Sequence, residues 1–198
     1  MSVVCKQRWT VTPIADLRPT QVTVGLREVA IKRARWRELV ASSGEGCQQR
    51  IANSKKCSPV VVGPQKRFYL IDGHHRARAL YEEGVKEISV KIVEDLSALD
   101  SADFWALLNH RNWTYPFGAH GQRYALTDMP KTLMSLIEDP FRSLANELKR
   151  RGTYTKDRTP FSECRWADFL RGKIDRSLLE CDFGGAILIA QEFVARRV

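Results

Sequence analysis

Phe68-Tyr69-Leu70-Ile71-Asp72-Gly73-His74-His75-Arg76 is the stretch on which the reading of this chain turns. Its first four residues are apolar or aromatic and suit a short buried strand, and Asp72-Gly73 is a turn pair. From His75 to Gly84 the sequence fits a short helix, with Gly84 as its C-terminal stop. A strand that turns through Asp-Gly into a helix leaves the first-turn N–H groups without intrahelical partners. Those donors and the helix dipole attract an anion, and Gly73 lets the backbone come close to it. Arg76 adds a planar fork suited to phosphate oxygens. His74 and His75 can donate hydrogen bonds or move protons near neutral pH. Asp72 has three open roles: helix cap, orienting partner of a histidine, or ligand to a divalent metal. Each residue also has an ordinary explanation, Asp72 as a plain N-cap and the histidines as part of a polar turn. Their combination after an apolar strand points to a phosphate site.

Working outward, Pro59-Val60-Val61-Val62 is a β-branched run closed by Gly63-Pro64, and with Arg67 to Ile71 it reads as a hairpin. Val85 to Val93 alternates with period two at Ile88, Val90 and Ile92 and reads as a strand. Val11 to Leu17 reads as the first strand, ended by Arg18-Pro19-Thr20. A helix is expected from about Gly25 to Ser42, with Leu26, Val29, Ala30, Trp36 and Val40 on one face and Glu28, Lys32 and Arg35 opposite. Residues 43–58 read as an exposed loop. Beyond Asp95 the segments 101–111, 140–151, 163–172 and 184–197 look helical, with Asp139-Pro140 and Thr159-Pro160 as helix starts. Trp105, Trp113 and Trp166 are expected in the core of that part. The fold class is therefore α+β. Residues 1–97 form a small mixed sheet with helices, and residues 98–198 a mainly helical C-terminal extension packing on it.

The chain has 198 residues, 43% hydrophobic and 28% charged, the balance of a soluble globular protein. Uncharged stretches such as Phe183 to Gln191 are too short to span a bilayer, and the N-terminus lacks the pattern of a secretory signal. These features predict a cytoplasmic protein without a membrane partner. Five cysteines at irregular spacing form no C-x-x-C pair and are expected to be reduced and mostly buried. The net charge of +9 suits an anionic partner, whether nucleotide, nucleic acid or phosphorylated metabolite. The clusters Lys32-Arg33-Ala34-Arg35-Trp36-Arg37 and Lys149-Arg150-Arg151 read first as solvated helix faces.

The Asp72-Gly73-His74-His75-Arg76 box, in its strand–helix setting, resembles the ParB/sulfiredoxin superfamily, and Ile14-Ala15-Asp16-Leu17-Arg18-Pro19-Thr20-Gln21 resembles that superfamily's first strand and turn. A ParB-like nuclease group within it is the nearest likeness. The stretch Val24-Gly25-x-x-Glu28-Val29-x-x-Lys32 and the tail Tyr154-Thr155-Lys156 … Pro160-Phe161 … Trp166-Ala167-Asp168-Phe169-Leu170-Arg171 resemble that group as well. The resemblance spans about residues 10 to 172 and implies that the box binds a nucleotide's phosphates. Sulfiredoxins carry a catalytic cysteine where this chain has His74, which argues against that activity. ParB partitioning proteins bind CTP through a glycine-glutamate-arginine-arginine box, where this chain has Gly73-His74-His75-Arg76. The superfamily's free serine kinases pair an Asp-Gly-His box with a glutamate base from an earlier helix, a role open to Glu28.

A phosphotransferase or NTPase reading follows from that resemblance. Gly73, His74, His75 and Arg76 would hold the phosphates of ATP or CTP, with Asp72 on Mg²⁺ or on a small hydroxyl acceptor and Glu28 accepting the proton. Lys32, one turn after Glu28, would neutralise the transferring phosphate or simply form an i,i+4 pair worth ~0.3–0.5 kcal/mol. In the nuclease reading Asp72, with His74 or His75, binds a metal that activates water against nucleic acid, with Glu163 and Asp168 as distant acidic candidates. A third reading is a non-catalytic nucleotide sensor, in which Lys156 and Asp168 close over the site.

Overall fold

The computed structural model of the chain describes residues 8–43, 57–155 and 161–195. Strand β1 (Arg8–Pro13) ends where proline has no N–H to give the ladder. The strand expected from Val11 to Leu17 is instead broken. A 3-10 turn covers Ile14–Asp16, and the two-residue β2 (Arg18–Pro19) follows. Ile14 and Leu17 are both buried while Ala15 and Asp16 face water, a spacing of three that a turn meets and a two-period strand does not.

Strand β3 (Thr23–Val24) leads into α1 (Leu26–Ser43). Val29 and Trp36 of the expected apolar face are buried and Val40 packs at the core's edge. Leu26 and Ala30 are exposed; Leu26 begins the helix, where its N–H donates to the Glu138 carboxylate. The hairpin is present: β4 (Ser58–Val62) pairs antiparallel with β5 (Phe68–Leu70) in the register Val60↔Leu70, Val61↔Tyr69, Val62↔Phe68. Helix α2 (His74–Glu82) stops at Gly84, whose φ of +77° suits glycine. Strand β6 (Glu87–Asp95) buries Ile88 and Val90.

Helices α3 (Ser101–His110), α4 (Pro140–Arg150), α5 (Ser162–Arg171), α6 (Arg176–Cys181) and α7 (Phe183–Ala195) make up most of the remainder, with β7 (Ile137–Glu138) just before α4. The short α6 was not expected from the sequence. The Asp139-Pro140 start holds: the Asp139 carboxylate accepts the Phe141 N–H at 3.0 Å, with proline in the first turn. The Thr159-Pro160 start lies outside the described residues.

The main sheet has the order β1-β6-β4-β5-β2 and is mixed: β1/β6 and β4/β5 are antiparallel, β4/β6 and β2/β5 parallel. A second, two-stranded parallel sheet joins β3 to β7. One core unites Ile14, Leu17, Leu70, Leu80 and Ile88 with Leu133 and Leu136 from far along the chain. A second lies under Phe104 and Leu108, with Trp105 and Trp113 packed against it. The helical core centres on Leu144, Leu148 and Leu170, with Trp166 at its margin. The fold is thus α+β with a mixed five-stranded sheet and a helical C-terminal region. Of the cysteines described, Cys164 is buried, Cys57 half-buried and Cys181 exposed, so the expectation of burial fails for Cys181.

Candidate functional site

Strand β5 delivers Ile71-Asp72-Gly73 to the start of α2. The N-cap of that helix is Gly73, not Asp72, with φ 86° and ψ 17° in the left-handed region. The Asp72 carboxylate accepts the Gly73 N–H at 2.7 Å and is otherwise exposed. No side chain caps α2, so its first-turn donors open onto the space beside the box. A Cβ on Gly73 would lie 3.0 Å from Ser58 Oγ, so packing as well as dihedral angle calls for glycine here.

The two histidines face backward, toward the chain that precedes α1. His74 Nε2 accepts the Thr20 N–H at 3.1 Å, and His75 Nε2 accepts the Gly25 N–H at 3.0 Å. An Nε2 that accepts carries no proton, so both rings are neutral with hydrogen on Nδ1. Burial brings the His74 pKa down to about 3, the Arg142 charge adding to it and a bond to the Leu70 backbone opposing. His75 is held well below the ordinary histidine value by burial, then by Arg142, Lys32, His74 and Lys149. Thr20 completes the latch by donating its hydroxyl to the Leu70 carbonyl at 2.7 Å.

Latching residues 20–25 to the box fixes where α1 begins, and with it Glu28 and Lys32. Both line a cavity of about 390 Å³ together with Asp72, Gly73, His74, His75 and Arg76. Every residue expected at the site from the sequence is therefore in one place. Glu28 and Lys32 form the i,i+4 ion pair at 2.9 Å, and Arg150 stands 4.0 Å from the same carboxylate. Burial lowers the Arg76 pKa, with Cys57 acting in the opposite sense.

The far wall is α4, which the sequence reading left out. Arg142, Asn146 and Lys149 line the cavity at spacings of four and three, one stripe of the helix, while Leu144, Ala145 and Leu148 turn to the core. Lys149 pairs with Glu163 at 2.7 Å, and Glu163 also lines the cavity. Arg142 is 4% exposed, donates Nη1 to the Thr23 carbonyl at 2.5 Å, and leaves Nε without a partner. It makes no ion pair with a carboxylate among the described residues. The stripe was legible as i, i+4, i+7 polarity in an otherwise apolar helix, but Lys149 was read with Arg150 and Arg151 as a solvated cluster. Gln21, Trp113, Phe161 and Cys164 complete the lining that sequence reading missed. Asp168 lies apart, accepting the Tyr115 hydroxyl and pairing with Arg171 at 3.4 Å. Lys156 falls outside the described residues. Among the described residues, no three His, Cys, Asp or Glu side chains gather as a metal cluster.

The fold and the site together define an α+β protein with a cationic cleft, where a sheet strand turns into a helix under the basic stripe of a second helix. The chain belongs to the family described as "Putative ParB-like nuclease", whose profile matches residues 10–172. It is also similar to the crystal structure of protein Atu1540 from Agrobacterium tumefaciens. The two share 44% identity at a TM-score of 0.84, over 94% of this chain and 91% of that one. No curated protein matches. Among the described residues no helix is long and apolar enough to cross a membrane.

Proposed function

We propose that the cleft binds the phosphate groups of a nucleoside triphosphate, ATP or CTP, and that the protein transfers a phosphoryl group to a small hydroxyl acceptor. One observation carries this reading. Arg142 is a buried guanidinium without a carboxylate partner among the described residues, and it lines the same cavity as Lys32, Arg76, Lys149 and the start of α2. A buried cation is costly unless something anionic meets it, and phosphate oxygens match its fork. A cavity of about 390 Å³ lies in the range of small-ligand sites.

In this reading the Gly73–Arg76 turn and Arg142 hold phosphate oxygens, and Lys32 and Lys149 neutralise the charge that develops on the transferring group. Asp72, exposed beside the turn, is the carboxylate that would hold Mg²⁺, an ion usually bound by one or two carboxylates and substrate phosphates. The metal would bridge and neutralise phosphate oxygens. Glu28 accepts the acceptor's proton. His74 and His75 are given positioning work, because their Nε2 lone pairs are committed to backbone N–H groups.

The test is thermal shift with ATP, ADP, CTP and GTP, each with and without Mg²⁺, followed by radiolabelled phosphoryl transfer to serine and other small hydroxyl compounds. A nucleotide at one hundred times its Kd should stabilise the fold by ~2.7 kcal/mol. The shift should vanish in Arg142→Gln, whereas Glu28→Gln should keep it and lose transfer. No shift with any nucleotide defeats the reading. The family's description favours a second one, in which the captured phosphate is a phosphodiester of nucleic acid. Metal-dependent cleavage of plasmid or single-stranded DNA, abolished in Asp72→Ala, would decide for it.

A further inference from the structure

The phosphate-binding groups cover only part of the cleft. Trp113 and Phe161 also line it, two aromatic side chains that a bare phosphate would leave facing water. Phe161 is held there at a conformational cost. Its φ of 57° and ψ of 29° place a bulky non-glycine residue in the left-handed region, at the N-cap of α5 and with no side-chain cap bond to explain it. Its ring is braced from behind. Tyr115 lies against it at a centroid distance of 5.7 Å and an interplanar angle of 30°, and Phe117 supports Tyr115 at 5.1 Å. Tyr115 is itself anchored, its hydroxyl donating to Asp168; burial, the largest cause, raises its pKa and keeps it protonated. Trp113 is fixed similarly, with the Arg111 guanidinium 5.0 Å from its ring and the Phe104–Leu108 core beneath it. Phosphate binding uses none of this bracing.

Resting on the phosphate reading of the cleft, we infer that Phe161 is the platform on which a planar aromatic ring of the ligand stacks, with Trp113 as the adjoining wall. The ligand is therefore a base-bearing nucleotide rather than an inorganic or sugar polyphosphate. Stacking accepts any base, since every base presents a π face, so the platform separates nucleotides from bare polyphosphates more than one base from another. Tyr115 and Asp168 act through Phe161 and are positioning residues.

Isothermal titration with ATP, CTP and inorganic tripolyphosphate tests this. The intact protein should bind at least one of the nucleotides about ten-fold or more tighter than tripolyphosphate. Phe161→Gly should close that gap and leave the tripolyphosphate Kd unchanged. Its unliganded Tm should hold or rise, because glycine accepts the left-handed backbone without strain; a merely structural ring would lower Tm instead. Should that variant fold poorly, Phe161→Leu keeps apolar bulk without a ring and should close the gap too, while Phe161→Tyr should keep it. Equal binding of nucleotides and tripolyphosphate by the intact protein overturns the platform and leaves the phosphate site standing. So does a Phe161→Gly that weakens all three alike. Failure of all three to bind takes down the phosphate reading and the platform together.

Discussion

His74 and His75 carry the most informative chemistry at the level of single residues, because their charge state has a measurable consequence. Both are neutral in the folded protein, with His74 brought down to about 3 from an ordinary 6.5, burial being the largest cause. The unfolded chain therefore binds more protons than the folded one throughout the interval between those values. Stability is fully present above the unfolded value and is lost as pH falls, by ~1.4 kcal/mol per pH unit for each histidine. Tm should drop on going from about pH 7 to about pH 5, and His74→Gln should flatten that slope while lowering Tm at neutral pH. A level profile across that range would contradict the neutral, accepting rings. The residue types were legible in the sequence, and so was their place at the box. Their direction was not, since the Thr20 and Gly25 N–H groups that claim the rings lie some fifty positions earlier and only the folded turn brings them near.

Among elements, the strand–turn–helix was the most readable because its signals are local: an apolar run, Asp-Gly, and a glycine stop. Gly73→Ala places a Cβ against Ser58 in a left-handed turn, and should cost ~1–2 kcal/mol while displacing the first-turn donors. Chemical denaturation should show the loss of stability, and titration a weakened phosphate ligand; an alanine variant with wild-type values of both would mean the turn is not under that constraint. Local reasoning misplaced the end of β1, where burial of Ile14 and Leu17 overrides the strand pattern. It also passed over α4. Nothing in the neighbourhood of Lys149 distinguishes a cavity lysine from the exposed Arg151, which pairs with Glu147 at 2.6 Å on the outer face. Only docking of the helix does so, through Leu144 and Leu148 in the core and Arg142 on Thr23. Likewise Arg33 and Arg37, read as part of a solvated basic run, are tied to Glu82 and Glu83 of α2.

For the molecule as a whole, the excess of positive charge and the interleaving of early and late segments each make a prediction. With a net charge of +9 and a cationic cleft, the Kd for a phosphate ligand should weaken steadily as salt is raised, since screening shortens to ~8 Å near physiological ionic strength. Salt-independent binding would place the ligand elsewhere. Leu133 and Leu136 belong to the core formed by Leu17 and Leu70, and β7 pairs with β3, so residues 1–97 and 98–198 should unfold in one transition. Two resolved calorimetric peaks would argue for separable units. The walls of the cleft come from residues 21–32, 71–76, 142–149 and 161–164, with Trp113 between. That distribution has a consequence for the protein's synthesis. The box is made early, but a nascent chain can offer no finished site until Cys164 has left the ribosome, so ligand cannot assist the folding of the first half and can only lock a chain that is already nearly whole.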